Sequence, residues 1–194
     1  MKNMKVKQNI ALAVLMIFIA ALTRLIPHWP NFTALGAVAL FGGAYLSRRW
    51  AFIIPLIALF VSDLFLNNLI YAKQFPDAYD GFAFFTPGAW SIYGAFIAVI
   101  IVGMFMLRKV NVKSVLFTSV IAAMVFFVIT NFAVWAGTPI FPKNAAGLIA
   151  CYTAAIPFFW NTVLGNLFFG SILFGAYEYA RQTGFINKLK EVRE

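Results

Sequence analysis

RKVNVKSVLFTSVIAAMVFFVITNFAVWAG, residues 108–137, decides the fold of this chain. Arg108, Lys109 and Lys113 crowd its start, and no charged residue follows between Ser114 and Gly137. The hydrocarbon core of a bilayer is about 30 Å thick and takes about 20 apolar residues of helix to cross. The stretch therefore reads as a membrane-spanning helix whose basic end stays cytoplasmic. Working outward, the same pattern recurs: apolar stretches predict helices over 10–27, 33–47, 51–71, 89–107, 114–137 and 147–180, six crossings in all. Lys2, Lys5 and Lys7 precede the first, Arg48 and Arg49 follow the second, and Arg181, Lys188, Lys190 and Arg193 follow the last. Alternate connections are thus basic, which places both termini in the cytoplasm.

Composition agrees. With 63% hydrophobic and 11% charged residues, the 194-residue chain has too little polar surface to solvate a water-soluble globule. The net charge of +9 then marks a cytoplasmic face that meets anionic lipid headgroups, not a nucleic-acid-binding surface. No linker or composition shift divides the chain, so residues 1–194 read as a single integral membrane domain. Arg24 and the missing small-x-small cleavage pattern argue that the first apolar run is a helix and not a signal peptide.

Two of the predicted helices are irregular. The second, over 33–47, is short, and Pro27, His28, Trp29, Pro30 and Asn31 before it predict broken backbone at the outer face. The sixth is long, and Pro157 predicts a break near its middle, because proline removes a helical hydrogen bond. The connection from Ala72 to Gly88 holds Pro76, Asp77, Asp80, Gly81 and Pro87 and reads as a lid.

Polar residues inside the apolar stretches carry the functional reading. Asp63 is the one acidic residue well inside a predicted span, where an unpartnered carboxylate costs about 2.5–3.5 kcal/mol. Asp63 and Asn67 are four apart and share a helix face with Ser62 and Asn68 nearby. Arg24 sits at similar depth on the first helix, so an Arg24–Asp63 pair is expected, either bracing the bundle or binding a ligand. Asn131 and Trp135 on the fifth helix, and Tyr152, Asn161 and Asn166 on the sixth, add polar tips among aromatic walls, the composition of a small-molecule pocket. The candidate substrate-binding residues are Arg24, Asn31, Asp63, Asn67, Trp135, Tyr152 and Asn161, with Thr86 and Trp90 behind them.

No nucleotide-binding loop, nucleophile elbow, zinc motif or catalytic triad is present, and His28 and Cys151 stand alone. The chain reads as no enzyme, with no catalytic residue, metal site or cofactor. Small residues at four-residue spacing form two stripes, Ala146, Ala150 and Ala154 beside Gly147, Cys151 and Ala155, and Ala39 with Gly43 repeats the pattern. Such stripes pack helices closely, within the bundle or against a partner.

RLIPHWPNF (24–32), FGGAY (41–45), Ser62-Asp63, Asn131 with Trp135, and IACYTAAIPFFWNTVL (149–164) resemble a family of uncharacterised bacterial membrane proteins described as transport proteins. That family is in turn similar to the substrate-binding S components of energy-coupling factor transporters, through size, six helices, the Ser-Asp pair and Pro157 to Asn161. The resemblance implies a six-helix bundle in the bacterial inner membrane that binds a vitamin-like micronutrient near its outer face. It also implies a scaffold membrane subunit and two cytoplasmic ATPases as partners. Many S components carry Ala-x-x-x-Ala on helix one for docking to that scaffold, a spacing absent among Ala11, Ala13, Ala20 and Ala21, so a solitary carrier stays open. The rival readings are a structural or assembly subunit of a membrane complex and an intramembrane enzyme using Asp63 with His28.

Overall fold

The computed structural model describes residues 2–79 and 81–183, with side chains from Ile10 onward except Ala78. Six helices and no strand occur among them: α1 Lys2–Leu22, α2 Leu35–Tyr45, α3 Trp50–Phe65 with its continuation to Gln74, α4 Ala89–Met106, α5 Val112–Gly137 and α6 Ala145–Gln182. Four of these, α3 with its continuation, α4, α5 and α6, are long and apolar enough to cross a membrane. The chain is a multi-pass α-helical membrane protein.

Helix α2 is the exception that organises the rest. Its 11 residues rise only about 16 Å at 1.5 Å per residue, half the hydrocarbon thickness. The expected helix over 33–47 is therefore too short to span by itself. Ala37 through Gly42 are buried without interruption, more than a full helical turn, so no side of α2 faces lipid. A helix apolar all round belongs in the interior of a bundle.

Glycines let its neighbours close in. A Cβ at Gly43 would lie 2.5 Å from the Ile100 carbonyl oxygen, and one at Gly103 would lie 2.8 Å from the Leu40 carbonyl oxygen. The α2 and α4 backbones are thus in near contact, as in small-residue packing between membrane helices. Helix α6 runs parallel to α2, pairing Asn166 with Gly36, Phe174 with Phe41 and Tyr177 with Tyr45. Helix α1 turns Ala13, Ile17, Ala20 and Ala21 inward, spaced to form one face, and leaves Leu15, Ile19 and Leu22 exposed.

Helix ends follow local chemistry. Ile26 is extended (φ −81°, ψ 133°), as the residue before a proline prefers, and closes the 3-10 turn Thr23–Leu25 after α1. Asn111 and Ser114 form a reciprocal capping box at the start of α5. The Asn144 side chain accepts from the Gly147 backbone to start α6.

The break expected near Pro157 is absent, and α6 runs unbroken for 38 residues. Pro157 deprives the Thr153 carbonyl of its helical partner, but both residues lie on the exposed side of the helix, where that carbonyl can tilt outward. On the opposite side α5 meets both halves: the Cys151 thiol donates to the Asn131 carbonyl at 3.4 Å before the proline, and the Asn166 amide donates to the Ser119 carbonyl at 3.2 Å after it. These contacts hold both halves in line, and the Gly147, Cys151 and Ala155 stripe is buried. Of the two small-residue stripes this one packs inside the bundle, while Ala146, Ala150 and Ala154 are exposed.

Filling the α2–α4 contact should be costly. Gly43→Ala and Gly103→Ala are each expected to destabilise the detergent-purified protein by about 1–3 kcal/mol, the usual range for overpacking. Gly94→Ala and Gly175→Ala, where nothing lies within 4 Å, serve as controls and should leave the thermal midpoint unchanged or higher. Equal midpoints for all four variants would refute the close-contact account.

Candidate functional site

The half-length of α2 leaves space above its amino terminus, and a cavity of about 580 Å³ fills it. Thr33, Leu35 and Gly36 supply its floor together with Ala122 of α5 and Asn166 of α6, and Phe96 and Val99 of α4 wall it. The non-helical segment 26–34 contributes Pro27, His28, Pro30 and Asn31. Irregular backbone at membrane depth is tolerated where it lines such a cavity. Two contacts with α6 hold that segment in place. Gly165 admits the Thr33 backbone, 2.9 Å from where a Cβ would stand, and the Asn161 amide donates to the Pro30 carbonyl at 2.9 Å. Asn31 sits at φ 63°, a left-handed conformation that asparagine tolerates better than most residues.

Arg24 and Asp63 meet on the cavity wall. The Arg24 Nη1 donates to Asp63 Oδ1 at 2.7 Å and to Ser62 Oγ at 2.6 Å, and Ser62 Oγ donates on to the Leu59 carbonyl. The Tyr93 hydroxyl donates to Asp63 Oδ2 at 3.1 Å. Both carboxylate oxygens are therefore engaged, which is what a carboxylate 3% exposed requires. Arg24 has five N–H donors in a planar fork, and only Nη1 is engaged by these residues. The pair is neutral as a whole, yet its cation retains hydrogen-bonding capacity on the cavity side.

Beyond Asp63, α3 changes to π-helical geometry over Leu66–Tyr71. Such turns are rare and recur at functional sites. Here the wider turn places Leu66, Ile70 and Tyr71 on the cavity wall and gives Asn67 and Asn68 to the connection that follows. Asn68 donates to the Ala83 carbonyl and accepts from the Ala83 amide, both at 2.9 Å, and the Thr86 hydroxyl donates to Asn67 Oδ1 at 2.9 Å. Phe85 stacks between Phe60 and Tyr93 at centroid separations of 5.5 and 6.0 Å. Gln74, Phe75 and Thr86 then border the cavity, so the 75–88 connection reaches it near both of its ends. Burial pushes the Tyr79 phenol above its usual range, with Tyr71 and Asp63 adding to the rise and Thr86 opposing it. Asp80 of that connection lies outside the described residues.

Asn67 is fully buried, and its Nδ2 has no hydrogen-bond partner among the described residues. An unpaired buried donor costs about 1–3 kcal/mol.

A second cavity of about 560 Å³ adjoins the first, sharing Asn31, Ile92, Phe126 and Thr162. It lies among the beginning of α4, the later half of α5 and the middle of α6, and Trp90 borders it.

The sequence candidates divide accordingly. Arg24, Asn31 and Asp63 line the first cavity, Asn67 anchors Thr86 at its edge, and Asn161 secures its rim. Trp135 and Tyr152 belong to the α5–α6 hairpin and line neither cavity. The Trp135 indole donates to the Pro142 carbonyl at 2.9 Å, Lys143 caps the carbonyls of Trp135 and Thr138, and the Tyr152 hydroxyl donates to the Val128 carbonyl at 2.7 Å. Asn166, read from the sequence as a polar tip of the last helix, lies in the cavity floor. Sequence reasoning missed Tyr93, Thr33 and Gly36. No group of three or more His, Cys, Asp or Glu residues gathers as a metal site among the described residues.

A family model described as a family of unknown function, DUF6580, matches residues 4–188. No curated protein and no solved structure matches the chain.

Three variants probe this arrangement. Asp63→Leu leaves the Arg24 cation uncompensated and should destabilise the fold by about 3–5 kcal/mol, whereas Arg24→Met/Asp63→Leu should recover most of that loss. Equal stability of single and double variants, measured by chemical denaturation in detergent, would show that the pair does not brace the bundle. Asn68→Leu removes both bonds to Ala83 and should accelerate limited proteolysis within residues 75–88 several-fold. An unchanged cleavage rate would mean that Asn68 does not hold the connection.

Proposed function

The chain belongs to the DUF6580 family, and we propose that it is a substrate-binding transport protein of the bacterial cytoplasmic membrane. It takes up a small organic nutrient from the outer side and passes it inward. The observation that carries the reading is the cavity of about 580 Å³, within the usual range for small-molecule sites, with an ion pair on its wall and Phe75 and Thr86 of the following connection at its border. A purely structural subunit gives no reason to keep such a space beside a buried charge pair, which is costly in an apolar bundle.

Sidedness follows from charge. The connections 46–49 and 107–111 carry Arg48, Arg49, Arg108 and Lys109, so they face the cytoplasm together with both termini. The cavity, at the other end of the bundle, opens outward. The irregular segment 26–34 and α2 together make the second of six crossings. In this reading the chain is similar to an energy-coupling factor S component and works either with a scaffold subunit and two ATPases or alone. Alanines 13, 20 and 21 of α1 are turned into the bundle, which favours a carrier that does not use this face for scaffold docking.

A second reading draws on the exposed face of α6, where Ala146, Ile149, Ala150, Ala154 and Trp160 lie uncovered. A subunit that docks a neighbouring membrane protein would use such a face.

Native mass spectrometry of the protein purified gently from its own host separates these readings. A stoichiometric organic molecule bound to the chain is the expected result, and accompanying scaffold and ATPase masses would show coupling to ATP. A stable membrane partner with no organic ligand would overturn the transport reading in favour of the assembly one.

A further inference from the structure

The two adjoining cavities differ in chemistry. In the first, the Arg24 guanidinium keeps free donors, and Leu35 and Gly36 of the first turn of α2 line the space, where the one side chain on that turn's amides is Thr33, whose Oγ1 accepts from the Leu35 amide at 3.5 Å. The start of a helix presents further N–H groups and the positive end of the helix dipole. Both features accept an anionic or hydrogen-bond-accepting group.

The second cavity has had its hydroxyl donors consumed. Ser91 donates to the Gly88 carbonyl, Thr130 to Phe126, Thr138 to Val134 and Thr162 to Phe158, all at 2.8–2.9 Å. The Asn131 amide likewise donates to the Phe127 carbonyl at 2.8 Å. Every hydroxyl on that wall is turned back onto local backbone, which leaves the Phe126, Phe127, Phe158, Phe159 and Trp90 rings to meet an occupant. A space of that size walled by aromatic rings takes an apolar group without demanding hydrogen bonds from it.

We propose that the two cavities form one two-part site for an organic acid with a bulky apolar tail. The acidic group lies between Arg24 and the α2 amino terminus, and the tail crosses at Asn31 and Thr162 into the aromatic cavity. The inference rests on the binding role proposed above and names the class of molecule bound. Asn31 has the place and the chemistry of a junction residue: it borders both cavities, its backbone is fixed in the left-handed region, and its side chain has no partner among the described residues.

The test uses the full-length protein in phosphatidylcholine nanodiscs, with empty nanodiscs as the background. The probes are 4-(4-benzoylphenyl)butyrate, which carries head and tail, its uncharged amide, and butyrate, which carries the head alone. The expected result is that the aryl acid binds at least about tenfold more tightly than either comparison compound, and that its benzophenone, on irradiation, labels α5 or α6 at the second cavity. Ala155→Phe, which fills the second cavity without touching the first, should abolish that advantage and leave butyrate binding unchanged. Thr130→Phe offers the same blockade from α5 should Ala155→Phe lower the folded yield. Equal binding of aryl acid and butyrate, unaffected by either substitution, would overturn the two-part site and leave the binding role standing. So would failure of all three probes on a preparation whose native mass spectrum shows a wholly polar ligand. Failure of the probes together with a ligand-free native spectrum would overturn both.

Discussion

A helix too short to cross the membrane is the constraint on which this structure depends. Because α2 spans only 11 residues, the chain before it must reach membrane depth without helical hydrogen bonding, and the bundle is left with space that α2 does not fill. Both needs are met by one arrangement. Segment 26–34 lines a cavity, where its polar backbone meets solvent or ligand, and α3, α4 and α6 close around α2 wherever Gly42, Gly43 and Gly36 remove a side chain from the way. The packing and the vacancy are two aspects of the same short helix.

Charge inside that bundle is handled by saturation. Asp63 has a partner for each oxygen, from α1 and from α4, and Ser62 takes a share of the Arg24 donation while bonding its own helix. Removing one member is therefore more damaging than removing the charged pair. The same network fixes three helices beside the cavity, so bracing and presenting a cation to a ligand are compatible roles for Arg24. The π-helical turn that follows shifts the register of α3, so Asn67 and Asn68 meet the 75–88 connection in place of a neighbouring helix.

Much of this was legible in the sequence because membrane insertion prices charge and length severely. Arg24 and Asp63 each lay too deep to be left alone, and their similar depth was enough to pair them. The apolar runs marked the long spans to within a few residues. Two differences from the sequence reading have a common cause, since both required knowledge of a neighbour. Pro157 breaks a helix only if nothing else holds the halves in line, and here α5 does so through Cys151 before the proline and Asn166 after it. Trp135 and Tyr152 look like pocket residues by type, but the tight α5–α6 hairpin uses both to satisfy carbonyls at Pro142 and Val128. The cavity floor was hidden for a related reason. Gly36 matters through what it lacks, and only the Asn166 side chain lying over it reveals why that position is empty.

The central helix also connects the two ends of the molecule. At its start, Leu35 and Gly36 face the cavity. At its end, the Tyr45 hydroxyl donates to Glu178 Oε1 at 2.6 Å, and Arg181 holds the other oxygen of that carboxylate at 3.1 Å. Between them lies a single helix with a continuously buried middle and no proline or unpaired turn to absorb a displacement. Close-packed interiors transmit strain instead of dissipating it. A group settling against the first turn of α2 therefore presses on the same rigid body that is latched to α6 at the opposite face. In a carrier with its site at one end and its exit at the other, that connection supplies a physical route by which occupancy at one face is felt at the other.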